Sequence, residues 1–161
     1  MNVTRAADLY DEDFFAWTQL QAKALRSFAR TQPNLALDLP HIAEEIADLG
    51  KERRDALRSW TGRIIEHLLL LEHSPATEPR RGWSREITAF RDEIEERLTP
   101  TLRRDVQRQL PRLYQKARRR LVLALERYGE GEVALRLPEH CPYTLDQVLG
   151  EFWPSPRSSG R

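Results

Sequence analysis

The stretch from Leu39 to His73, LPHIAEEIADLGKERRDALRSWTGRIIEHLLLLEH, constrains this chain more than any other. Its apolar residues recur at helical spacing, which predicts one long helix, or two helices nearly in line. At about 100° per residue, Ile42, Leu49, Trp60, Ile64 and Leu71 fall on one stripe, with Ile46 and Leu68 beside it. Such a stripe must bury itself against other helices. Two polar residues share it. Arg53 and His67 project in the same direction as Trp60, about two turns to either side.

Proline and glycine punctuate the rest. Pro33 and Pro40 precede the long helix, and Pro75, Pro79 and Gly82 follow it. A first helix is expected from Asp11, a good N-cap, with Tyr10 stapled onto Phe14 or Phe15. Phe14, Trp17, Thr18, Gln21, Leu25 and Phe28 share its face, so Gln21 needs a polar partner if buried. Asp38 suits the cap of the long helix. Gly50 and Gly62 lie inside that helix, where each costs roughly 1 kcal/mol against alanine, so a bend or a close helix contact is expected at each.

A third helix is expected over about 83–98, on Trp83, Ile87, Phe90 and Ile94. A fourth starts near Thr101, with Leu102, Val106, Leu110, Leu113, Ala117, Leu121, Ala124 and Tyr128 on one face. Pro111 should kink or split it, and Gly129 should end it. Thr144-Leu-Asp-Gln147 reads as a capping box that opens a short helix. Phe152 and Trp153 then latch onto the bundle, and the tail from Ser155 is expected to be disordered. No window shows strand alternation.

Bulk properties narrow the class. The chain has 161 residues, enough for one domain with a sizeable core. Its formal net charge of +1 makes no global electrostatic case for nucleic acid or a membrane surface. The longest apolar run, Leu68 to Leu71, is far short of the about 20 residues a membrane span needs. A single cysteine, Cys141, suits a reducing compartment, and the opening residues lack the apolar run of a signal peptide. The expected location is the cytoplasm.

Several short motifs appear in order: Tyr10-Asp11-Glu12-Asp13-Phe14 with Trp17, Ala43-Glu44-Glu45-Ile46 with Leu49-Gly50, His67-Leu68-Leu69, Trp83, and Cys141-Pro142-Tyr143-Thr144. Together they resemble the bacterial family known as domain of unknown function twenty-nine, from about Tyr10 to Pro154. The resemblance implies a compact all-helical bundle. It implies no activity and carries over no catalytic or binding residue.

Four groups of residues have chemistry to weigh. Gln21, Arg53 and His67 occupy apolar faces. Buried together, they form either a structural network that sets helix register or a pocket binding a small anion at Arg53, with His67 exchanging a proton. His41 with Glu45, and Glu44 with Asp48, stand one turn apart. The Glu-x-x-His pairs of di-metal bundles are absent, so the acids read as a solvated first turn and no metal site is assigned. Arg104, Arg108, Arg112, Lys116 and Arg120 step by four along the fourth helix, with Tyr114 the one interleaved aromatic. They form a track for phosphates or a charged face balanced by acids elsewhere. Cys141 beside His140 reads as a semi-buried thiol, because catalytic dyads form in space and not by adjacency.

The expected fold is all-α, a single domain over residues 1–161 with an ordered core of about 10–154. Four main helices form a bundle, with a C-terminal segment and a short helix packed over it. The expected function is a non-enzymatic cytoplasmic interaction domain with a protein partner and no cofactor. An anion-binding or enzymatic pocket around Arg53 and His67 stands second, and nucleic-acid binding through the fourth helix third.

Overall fold

The computed structural model describes residues 3–157. They are all-α, with no strand among the described residues. Seven helices follow one another: α1 (Val3–Glu12), α2 (Phe14–Thr31), α3 (Leu39–His73), α4 (Arg80–Arg97), α5 (Pro100–Arg127), α6 (Gly131–Arg136) and α7 (Leu145–Leu149). The four longest are those expected from the sequence. The long stretch is one helix, not two. Helix α5 runs through Pro111 without splitting. Helices α1 and α6 were not foreseen.

The contacts group into two compact units. The first holds the described residues up to Ala56 with Leu98–Arg104. The second holds Leu57–Arg97 and the described residues from Asp105.

In the first unit, Asp13 and not Asp11 caps the helix that follows. Its Oδ1 accepts the Ala16 amide at 3.0 Å, and its Oδ2 accepts the Thr101 amide, at the start of α5, at 3.0 Å. One buried carboxylate thus satisfies free amides at two helix starts. Burial pushes its pKa up, but the Ala16 and Thr101 hydrogen bonds outweigh this and hold it below the ordinary 3.8. The Tyr10 ring meets the Phe14 ring edge-on at 5.6 Å and Trp17 at 4.8 Å, so the expected contact with Phe14 forms, but from within α1 and not from the position before the cap. Asp38 Oδ1 accepts the His41 amide at 3.3 Å, as a cap of α3.

The buried face of α3 in this unit corrects the stripe expected from the sequence. Ala43 and Ala47 are buried with Ala22 of α2, and Leu25 packs against them. Ile42 and Leu49 are instead 39% and 52% exposed. Small residues win the inner face because they let two helix backbones approach. Gly50 lies on the same face, and a Cβ there would lie 2.1 Å from Thr18 Oγ1.

In the second unit the face turns apolar in the ordinary way. Leu57, Ile64, Ile65, Leu68 and Leu69 of α3 are fully buried, as is Ile87 of α4. On α5, Val106, Leu110, Ala117 and Leu121 are buried as expected, but Ala124 and Tyr128 are exposed and Tyr114 and Leu125 are buried instead. Gly129 ends α5 at φ +77, with its own amide on Glu126 O and that of Glu130 on Leu125 O. This is the left-handed stop expected of it. The Thr144 capping box opens α7 as expected.

Candidate functional site

Gln21 and Arg53 lie in the first unit, and His67 lies in the second. Gln21 is half-buried. Arg53 is also half-buried and sets its guanidinium over the Phe14 ring, 4.4 Å from the centroid. The stripe therefore does not enclose this guanidinium fully, as the sequence suggested. Its charge sits on an aromatic face with solvent beside it. His67 is buried, and its Nε2 lies 2.5 Å from a carboxylate oxygen of Glu86 on α4. Burial lowers the His67 pKa in spite of Glu86. Each of the two residues thus has its own partner, Phe14 for one and Glu86 for the other.

The basic face of α5 is only partly open. Arg112 and Lys116 are exposed, and Arg104 is exposed with one donor on Thr101 Oγ1 at 3.3 Å. Arg108 is largely exposed, 3.8 Å from Asp105. Arg120 is tied to buried Glu66 of α3 at 2.8 Å. Arg118 donates to the carbonyls of Pro138 and Leu137 at 2.8 and 3.3 Å. Tyr114 is not available for stacking on a base. It is fully buried, and its hydroxyl donates to Pro138 O at 2.5 Å. Burial raises its pKa to about 12.

His41 pairs with Asp38 at 2.6 Å on the open surface. Among the described residues no three His, Cys, Asp or Glu side chains come together as a metal site. Among the same residues no helix is long and apolar enough to cross a membrane. The half-buried Cys141 thiol donates to Tyr143 O at 3.3 Å, and burial raises its pKa. A protonated thiol held in this way is a poor nucleophile.

A polar node that the sequence did not reveal sits at Glu72, one residue before the end of α3. Its Oε2 accepts the Tyr143 hydroxyl at 2.7 Å, and its Oε1 accepts Arg157 Nε at 2.7 Å. The Arg157 amide also donates to the Glu72 carbonyl at 2.8 Å. These contacts bring Arg157, in the tail from Ser155 for which disorder was expected, to the end of α3. Residues 158–161, the rest of that expectation, lie outside the described residues. Burial, reinforced by the Glu72 hydrogen bond, pushes the Tyr143 hydroxyl pKa well up. His73 Nε2 lies 4.0 Å from Glu72 Oε2, and burial keeps this imidazole below its ordinary pKa. A cavity of about 380 Å³ opens on Glu72, Tyr143, Phe152 and Arg157.

Arg91 of α4 holds the same end of the chain. Its guanidinium donates to Val148 O and Gln147 O at 3.0 Å and to Phe152 O at 2.9 Å. A cation here meets the free carbonyls at the end of α7. Trp153 lies against the same guanidinium, 5.0 Å from its ring centroid. Phe152 meets the Tyr143 ring at 6.0 Å. The expected latch forms, with Arg91 as the residue that holds it.

Apolar side chains left in water form the other feature of note. Ile42, half-buried Ile46 and Leu49 share one face of α3, roughly a quarter-turn from Ala43, Ala47 and Gly50. Exposed Glu45 and Glu52 flank that face. Leu35 and Leu37, in the connection leading into the helix, are also exposed.

Among curated proteins, none matches the chain. A crystal structure of an alpha-helical protein of unknown function from Rhodospirillum rubrum is similar to it, with a TM-score of 0.77 and 26% identity. The match covers 88% of this chain and 89% of that one. The profile of the family described as domain of unknown function DUF29 matches residues 9–153. Its span takes in Glu72, Tyr143 and the Arg91 latch but stops short of Arg157, and the chain belongs to this family.

Proposed function

We propose that the chain is a non-enzymatic interaction domain that binds another protein through the Ile42–Ile46–Leu49 face of α3. One observation carries this reading. The helix places alanine and glycine on its inner side and leaves isoleucine and leucine outside. Large apolar groups lined up on one exposed helix face mark a docking surface more often than isolated ones do. Burying the exposed part of each contributes about 1 kcal/mol to association. The acids Glu45 and Glu52 beside the face favour a partner that presents an apolar ridge with basic residues along it. We place the protein in the cytoplasm, where its one thiol stays reduced.

The test is recovery of a stoichiometric partner by the tagged full chain, against a chain carrying Ile42→Asp and Leu49→Asp. Both positions are solvent-facing, so the helical circular dichroism of the variant should be unchanged. Loss of the partner with an unchanged spectrum supports the reading. Equal recovery by both chains contradicts it.

A further inference from the structure

We propose that the Glu72–Tyr143 cavity is a guanidinium-binding site, filled in cis in this structure by the chain's own Arg157. The proposal is independent of the α3 face and stands on different residues. The Glu72 side chain is only 12% exposed, yet it lines an open cavity. A carboxylate there has about four lone-pair positions, and among the described residues the Tyr143 hydroxyl and Arg157 Nε donate to it. Rings make up most of the wall, Pro142, Tyr143, Phe152, Pro154 and Pro156, with Gln147 and Ser155 beside them. A flat cation with several donors suits such a site better than a compact, strongly hydrated ammonium. Its edge meets the carboxylate while its faces lie on apolar rings.

Arg157 is well placed to be displaced. Its side chain is 65% exposed. An ion pair with one open partner is weak. Once Arg157 leaves, Glu72 keeps the neutral Tyr143 donor but loses its cation. Burial opposes a charge on His73, whose Nε2 lies 4.0 Å from the carboxylate. A largely buried carboxylate without a counter-charge is unfavourable, so the vacated site selects another cation. The same chemistry is offered by a free guanidinium compound and by an arginine within a peptide.

The experiment is a calorimetric titration of the full chain and of its Arg157→Ala variant. N-acetylarginine amide stands for an in-chain arginine, and free arginine for the small molecule. Removing the cis occupant should tighten binding roughly tenfold if Arg157 fills the site about nine-tenths of the time. The tighter of the two ligands identifies the source. N-acetylcitrulline amide, uncharged and of the same shape, should not bind Arg157→Ala measurably, and adding Glu72→Gln should abolish binding of the arginine ligands. Equal affinity in the two chains, no saturable binding to Arg157→Ala, or equal binding of the citrulline compound would overturn the proposal. The citrulline comparison changes nothing in the protein, so it decides the matter even if Glu72→Gln fails to fold.

Discussion

The Arg58 guanidinium closes on the Asp105 carboxylate through two hydrogen bonds, Nε to Oδ2 at 2.8 Å and Nη2 to Oδ1 at 2.7 Å. The pair joins α3 to α5 within the second unit. Its two members differ in exposure, with the Asp105 side chain 10% exposed and that of Arg58 27%. Fork-to-fork geometry makes this a strong contact. Removing either side leaves the other charge behind, and the more buried one suffers more. Arg58→Ala is expected to lower the unfolding free energy by about 2–4 kcal/mol, and Asp105→Asn by about 1–2 kcal/mol. Urea denaturation of the two variants checks the order, and the reverse order would show that the carboxylate is not the strained partner.

Two glycines inside helices should respond in opposite directions to the same change. Gly50→Ala places a methyl 2.1 Å from Thr18 Oγ1, so the Thr18 side chain must turn away or the helices must shift. Overpacking of this kind costs about 1–3 kcal/mol. Adding Thr18→Ala should recover most of the loss. Gly82 lies in α4, and a methyl added to it would meet nothing within 4 Å. There the gain in helix propensity prevails, and Gly82→Ala should stabilise by about 0.5–1 kcal/mol. Thermal unfolding of the three chains distinguishes these outcomes.

Stability should fall with acid in two separate windows. The His67 and His73 pKa values are lowered by burial. A neutral buried imidazole favours the folded state, and that contribution is complete above the ordinary 6.5. It declines as pH falls from there through each folded value. Asp13 has a folded pKa below its ordinary 3.8. Its contribution is complete above that value and is lost only as pH falls below it through the folded value. A double His67→Gln, His73→Gln variant should therefore flatten the unfolding free energy between about pH 7 and 5, and Asp13→Ala should flatten it only below about pH 4. A chain whose stability is level from pH 7 to 5 before any substitution would refute the histidine part.

Much of the architecture was legible because periodicity and caps are local signals. The bounds of α3, the stop at Gly129 and the cap at Thr144 all follow from residues within a few positions. The inner face of α3 near Ile42 was not legible, because apolar size is a poor guide to burial where helices touch closely. There Ala43, Ala47 and Gly50 set the distance, and the larger residues turn outward. The cap at Asp13 is a local bond, to Ala16, in a run of three acids that all suit a helix start; its second bond, to Thr101, was not legible because it is distant in sequence. Arg157 carried no sign at all. It is one arginine in a Pro- and Ser-rich tail, and its partner Glu72 stands 85 residues earlier. Arg91 likewise reads as one charge among many until α7 and Phe152 bring their carbonyls to it.

The reading of α3 as a docking face is tested most directly by position-specific photocrosslinking in living cells. A benzophenone amino acid is placed in turn at Ile42, at Leu49 and at Lys51, which is exposed on the opposite side of the same helix. The account predicts one adduct of the same mass from positions 42 and 49 and none from 51. Equal adducts from all three positions, or none from 42 and 49, would contradict it.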